Sequence, residues 1–178
     1  QLITWRGRRG SSATGYLKPA KGRANLFIET GAHVCRGGFA GRRAESVVFR
    51  QGGQERTVTA RREVVLSAGA LQSPQVLQLS GIGDADLLKR HDIEVMVDRP
   101  SVGQNLQDHL SIDSAYYCKK PITLHTLTQP LKKLSVGFQW LATRSGIGAS
   151  NIWEMGGFVF WTDQVTHPNL HYHFTQVY

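Results

Sequence analysis

Glu154 stands between Trp153 and Met155, with Phe158 four residues further on. A carboxylate with such neighbours is partly desolvated, which strengthens its attraction for a cation, and a cation without N–H groups is held by opposite charge and aromatic faces. The alternative is a solvated glutamate ahead of a turn at Gly156-Gly157. Trp161, Tyr172 and Phe174 would add aromatic walls, although core packing accounts for each of them as well. A second polar group, Asn105, Asp108 and His109, invites an acid–base reading because an imidazole adjoins a carboxylate. Such a run more often satisfies the backbone of an irregular loop, and that is the role expected here. His171 and His173 alternate along one strand and so share a face, but no third ligand accompanies them, and they read as strand histidines with no metal. Cys35 and Cys118 are far apart and have no metal-ligand spacing, so they read as free thiols of a reducing compartment.

The elements that must hold these residues centre on one stretch. Glu63, Val64, Val65, Leu66 and Ser67 form a continuous apolar run, expected as a strand of a parallel sheet covered on both faces. The small residues Ala68, Gly69 and Ala70 follow. Ser73-Pro74 is expected as N-cap and first helical turn, and Gly81 and Gly83 as the stop. In an open α/β sheet the ligand crevice lies beyond the carboxyl ends of the strands, which is where Ala68, Gly69 and Ala70 fall. These small residues also serve simply to let helix and strand pack. No Gly-x-Gly-x-x-Gly fingerprint is present: Gly81-Ile82-Gly83 and Gly146-Ile147-Gly148 lack the third glycine and the preceding strand.

Upstream, residues 11–20 have helical spacing behind capping serines, and residues 25–30 read as a strand turned by Gly31. Runs at 33–36, 45–50 and 56–60, separated by glycines, predict a three-stranded antiparallel meander. Residues 93–97 read as a further strand. Beyond His109 the pattern changes to isolated strands, a loop between Pro121 and Pro130, and a helix over 131–143 whose Leu134, Phe138, Trp140 and Leu141 suggest a core-facing stripe. Residues 156–160 and 170–174 read as two more strands. The expected organisation is a lead-in helix region (1–22), a first domain (23–108) and part of a second (109–178), in a mixed α/β fold.

The net charge is +8 with 21 Lys and Arg against 13 Asp and Glu. The basic residues form short clusters between apolar strands with no nucleic-acid motif, so nucleic acid is not expected as a partner. The charge would suit anionic lipid, and the expected location is cytoplasmic or peripheral on the inner face of a membrane. No apolar run is long enough to span a bilayer.

The order from Ser67-Ala68-Gly69-Ala70 through Ser73-Pro74 to Ser80-Gly81-Ile82-Gly83 resembles the second signature of the glucose-methanol-choline (GMC) family of flavin-dependent alcohol oxidoreductases. Two further stretches support the resemblance, Pro100-Ser101-Val102-Gly103-Gln104-Asn105-Leu106-Gln107-Asp108-His109 and Gly146-Ile147-Gly148-Ala149-Ser150-Asn151. The second of these, with Gly7-Arg8-Arg9-Gly10-Ser11-Ser12 near the start, is similar to the choline-oxidising branch. The resemblance covers essentially the whole chain. It implies an FAD-binding domain containing the meander, followed by the first strands of a sheet-based substrate domain, within a longer protein. It further implies that Val34 holds the adenine through its backbone, that Ala68, Gly69, Ala70 and Asn105 lie near the flavin, and that Glu154 faces a trimethylammonium group. The expected activity of the whole is oxidation of choline by hydride transfer to flavin. A relative acting on a neutral alcohol and a non-catalytic basic interaction module are the alternatives. The family's dinucleotide fingerprint and catalytic histidine region have no counterpart here, so no catalytic residue is assigned and the chain alone is expected to be inactive.

Overall fold

The computed structural model describes residues 3–120, 122–152 and 155–175. In chain order the elements begin with β1 (Ile3–Trp5), β2 (Arg8–Gly10), a helical run Ala13–Leu17 continuing into α1 (Lys18–Ala20), β3 (His33–Ala40), β4 (Arg43–Gln51) and β5 (Gln54–Thr59). They continue with α2 (Gly69–Leu79), β6 (Ile82–Gly83), α3 (Ala85–Arg90), β7 (Val97–Asp98), α4 (Pro130–Thr143), β8 (Met155–Val159) and β9 (Leu170–Phe174). The chain divides into two compact units, residues 1–26 with 112–178, and residues 27–111.

In the unit of residues 27–111, β3, β4 and β5 form the expected antiparallel meander, longer than the sequence spacing indicated. Gly52 and Gly53, with φ of 58° and 79°, close the two-residue turn between β4 and β5. A register shift between Val34 and Arg36 leaves Cys35 unopposed, a bulge that bends β3 beside Val34. Helix α2 packs on β3, where the Ser80 hydroxyl accepts a hydrogen bond from the Gly37 N–H at 2.8 Å and donates to the Val76 carbonyl at 2.5 Å. Gly81 then turns the chain at φ 83°, and a Cβ there would run into the Glu94 carbonyl and lie 2.8 Å from Met96 Cγ. The chain needs glycine there on both counts: a left-handed φ and a close backbone approach. The stop leads into β6, which pairs in parallel with β7. Asp84 caps α3, its carboxylate accepting from the Leu87 N–H at 2.7 Å, and α3 buries Leu88 to 1% exposure; Val48 on β4 is 7% exposed.

The unit of residues 1–26 and 112–178 begins with a β1–β2 hairpin that the sequence reading did not anticipate. Arg6 and Gly7 both carry left-handed φ in its two-residue turn. The turn is tied to α4, because the Trp140 indole N–H donates to the Gly7 carbonyl at 2.6 Å. The capping serines act as expected in part: the Ser11 hydroxyl accepts from the Thr14 N–H at 3.3 Å, whereas Ser12 makes no side-chain cap. The two expected strands are present as β8 and β9, and they pair antiparallel with Phe158 opposite His171.

Several sequence expectations are corrected. Residues 25–30 and 63–67 form no strand, and 93–97 pair only at Val97. Their alternation and apolar content are strand-like, but a strand exists only where a neighbour completes its ladder, and the described residues offer these segments none. Residues 109–120 likewise contain no strand. Ser73-Pro74 does not begin α2, which starts at Gly69 with Ala68 as N-cap and holds Pro74 inside. The helix of residues 131–143 is present, but its stripe is not buried: Leu134, Phe138 and Leu141 are exposed, while Trp140 is half-buried. No helix among the described residues is long and apolar enough to cross a membrane.

Candidate functional site

The start of α2 combines an open backbone with unused hydrogen-bonding capacity. The first four N–H groups of a helix, counted from the N-cap, have no intrahelical carbonyl acceptor, here those of Ala68, Gly69, Ala70 and Leu71. Pro74 has no N–H, so the Ala70 carbonyl also lacks its helical donor. The Ser73 hydroxyl reaches back to accept from the Ala68 N–H at 3.1 Å, holding the turn in place. Gly69 has φ 89°, and a Cβ built on it would meet nothing within 4 Å. The space over this backbone is therefore open, and a bound group can approach it closely.

Beside this turn lies a groove of about 590 Å³ between α2 and the loop of residues 103–107. Ala70, Leu71 and Pro74 form part of one wall, and Gln104, Asn105 and Gln107 part of another. The loop is tied to the helix by Gln78, whose Nε2 donates to the Val102 carbonyl at 3.1 Å. Asn105 has φ 55°, a conformation that asparagine tolerates better than most side chains, and its Oδ1 accepts from Gln107 Nε2 at 3.0 Å. The polar lining consists of carboxamides, without a charged side chain. Neutral donors and acceptors beside apolar surface suit a planar polar heterocycle better than an ion.

Of the residues singled out from sequence, Ala70 and Asn105 are brought together in this groove, and Ala68 and Gly69 form the turn leading into it. Val34 lies on β3 opposite Phe49, beside the bulge and outside the groove lining. Glu154 and its neighbour Trp153 lie outside the described residues. Asp108 and His109 are fully exposed: the Asp108 carboxylate accepts from the His109 N–H at 2.7 Å and lies 3.9 Å from the His109 ring nitrogen. The pair thus serves its own loop backbone.

Sequence reasoning missed Ser80 and Gln78, which fix the end of α2 and the groove loop. A serine directly before the glycine stop was the available signal for Ser80, while nothing local distinguishes Gln78 from the helix's other glutamines. On β9, the His171 ring stacks on Phe158 with centroids 4.0 Å apart and lies 3.9 Å from the His173 ring. Among the described residues no group of three or more His, Cys, Asp or Glu could hold a metal.

The family model described as GMC oxidoreductase matches residues 1–111. The oxygen-dependent choline dehydrogenase of Pectobacterium atrosepticum is 49% identical over 177 residues, covering 99% of this chain and 32% of that protein. Among solved structures, formate oxidase from Aspergillus oryzae superposes with a TM-score of 0.75 at 31% identity, over 87% of this chain and 27% of the other. An FAD-dependent oxidoreductase from Chaetomium thermophilum gives 0.73 at 29% identity, over 81% and 26% respectively. The chain spans about a third of the length of the curated relatives it matches. It belongs to the GMC oxidoreductase family.

Proposed function

We propose that this chain frames the FAD and supplies part of the substrate wall of an alcohol oxidoreductase whose substrate is choline, oxidised to betaine aldehyde. The observation that carries the reading is the 49% identity to a choline dehydrogenase along 99% of the chain. The residues present fit the cofactor: the open backbone at Gly69, the free N–H groups of the first α2 turn, and the amide-lined groove at Ala70 and Asn105 match a flavin nucleotide's need for close backbone approach and neutral hydrogen bonds. Gly69, Ala70 and Asn105 would hold it, with Val34 contributing backbone to the adenine. When bound, the flavin would supply the redox chemistry as the hydride acceptor, and no residue of this chain is assigned as the base.

What the chain itself does is hold and orient. The Ser73 hydroxyl holds the Ala68 N–H at the start of α2, and Gln78 ties the opposite loop to the helix through the Val102 carbonyl. Glu154 is proposed as the counter-charge to the trimethylammonium group, which offers no N–H for directional recognition. The domain division at residues 22 and 108 and a location that is cytoplasmic or peripheral on the inner face of a membrane belong to the same proposal. The latter is supported by the +8 charge.

The test is anaerobic bleaching of flavin absorbance in a chimera in which this chain replaces the 177 matched residues of the Pectobacterium enzyme, with choline and with a neutral aromatic alcohol. Choline should bleach the flavin, and Glu154→Gln should raise the choline concentration required by at least about tenfold, the size of a desolvated cation contact. Bleaching by the neutral alcohol alone would remove the choline reading and the role of Glu154.

A further inference from the structure

The net charge of +8 is not spread evenly over the chain. The unit of residues 1–26 and 112–178 carries eleven Lys and Arg against three Asp and Glu, whereas residues 27–111 carry ten of each and are neutral. Residues 1–28 and 114–153 contain no acidic side chain. Helix α4 runs through the second of these stretches, with Lys132 and Lys133 in its first turn and Arg144 as its C-cap. Leu131, Leu134, Phe138 and Leu141 recur at i, i+3, i+7 and i+10 and so line one face of the helix. Each is between 64% and 82% exposed. The opposite face is the packed one, where Val136 and Trp140 lie against Gly148 and the Trp140 indole N–H is bonded to the Gly7 carbonyl. That bond fastens α4 to the β1–β2 hairpin, whose Arg6, Arg8 and Arg9 add to the same positive field.

At 14 residues α4 is too short to span a bilayer, but an apolar stripe on a helix that carries lysines and no carboxylate suits the plane of a membrane surface. Two demands are unmet at once, apolar area left in water and a positive field without counter-charge. A protein core would take the stripe and leave the charge uncompensated, and a nucleic acid would take the charge and leave the stripe. An anionic lipid surface meets both, since the acyl boundary accepts the stripe while the long stems of Lys132 and Lys133 carry their ammonium groups to the headgroups. We infer that α4 is the element that docks this protein on an anionic bilayer surface, with Leu131, Leu134, Phe138 and Leu141 entering the boundary between headgroups and acyl chains. The inference rests on the peripheral membrane location proposed above and is independent of the substrate.

Co-sedimentation of the chimera with vesicles of phosphatidylcholine alone, or of phosphatidylcholine and phosphatidylserine in equal parts, tests it. The chimera should sediment with the anionic vesicles and not with the neutral ones. Leu134→Gln together with Phe138→Gln should weaken that binding at least about tenfold, leaving choline-driven bleaching and the denaturant midpoint unchanged. Lys132→Gln together with Lys133→Gln should also weaken it at least about tenfold at low salt, and should match the wild type at high salt, where the charge contribution is screened. If the apolar pair lowers the midpoint and leaves vesicle binding intact, the rest of the polypeptide covers the stripe and the inference is overturned. Equal binding to both kinds of vesicle overturns it as well, as would lipid-free dimers of the chimera that the apolar pair converts to monomers, which would make the occupant a second copy. Absence of any vesicle binding by the unsubstituted chimera would remove the peripheral location and this inference together, whereas binding that the α4 substitutions leave unchanged removes this inference alone.

Discussion

Helix α2 ends on Ser80, 8% exposed and bonded to β3, whereas α4 holds Leu131, Leu134, Phe138 and Leu141 at 64–82% exposure. Both are apolar helices of more than ten residues. The difference lies in what each finds within its own unit. The α2 terminus meets β3 on one side and the β6–β7 pair on the other, so its polar groups and its glycine stop all have partners. Helix α4 packs Val136 and Trp140 against Gly148, and Trp140 reaches Gly7, but nothing described covers the opposite stripe. A hydrophobic stripe states that a helix wants a neighbour; the neighbour has to be present for burial to follow.

The contrast can be broken most severely at Gly81. Gly81→Ala should cost about 3 kcal/mol, combining a left-handed conformation with a collision at the Glu94 carbonyl, read as a lower denaturant midpoint of the chimera. An unchanged midpoint would mean that the α2 stop is far looser than described. Ser80→Ala leaves the part-buried Gly37 N–H without its acceptor and should cost about 2 kcal/mol in the same unfolding measurement. Asp84→Ala removes the α3 cap and should cost about 1 kcal/mol, with Asp84→Asn recovering most of it. If alanine and asparagine behave alike, the carboxylate is not capping. The smallest effect is expected on α4: in the 178-residue chain, Leu134→Gln should change stability by no more than about 0.5 kcal/mol, as for an exposed site. A loss as large as that of Ser80→Ala would show the stripe to be covered.

The meander was legible because glycine-bounded runs of β-branched residues find their partners nearby, and short two-residue turns bring them together. The β8–β9 pair was legible for the same reason, despite a longer connection. Residues 25–30, 63–67 and 109–120 carry equally strand-like patterns and form no ladder, since a pattern specifies which face is apolar and not which strand lies beside it. The groove was half legible. Ala70 and Asn105 were named from motifs, but the loop that joins them depends on Gln78, whose bond to the Val102 carbonyl spans 24 residues of sequence.

The sequence by itself determined the family, the meander, the helix over 131–143 and the small-residue turn at Ala68, Gly69 and Ala70, because these depend on side-chain size and on short-range periodicity. It also determined the charge balance and the absence of a dinucleotide fingerprint. Tertiary structure alone decided that α2 begins at Gly69, that Ser80 is buried against Gly37, that the Trp140 indole is bonded to Gly7, and which apolar rows find cover. Those outcomes are settled by contacts between residues remote in sequence, where backbone groups must be paired and apolar area removed from water at the same time.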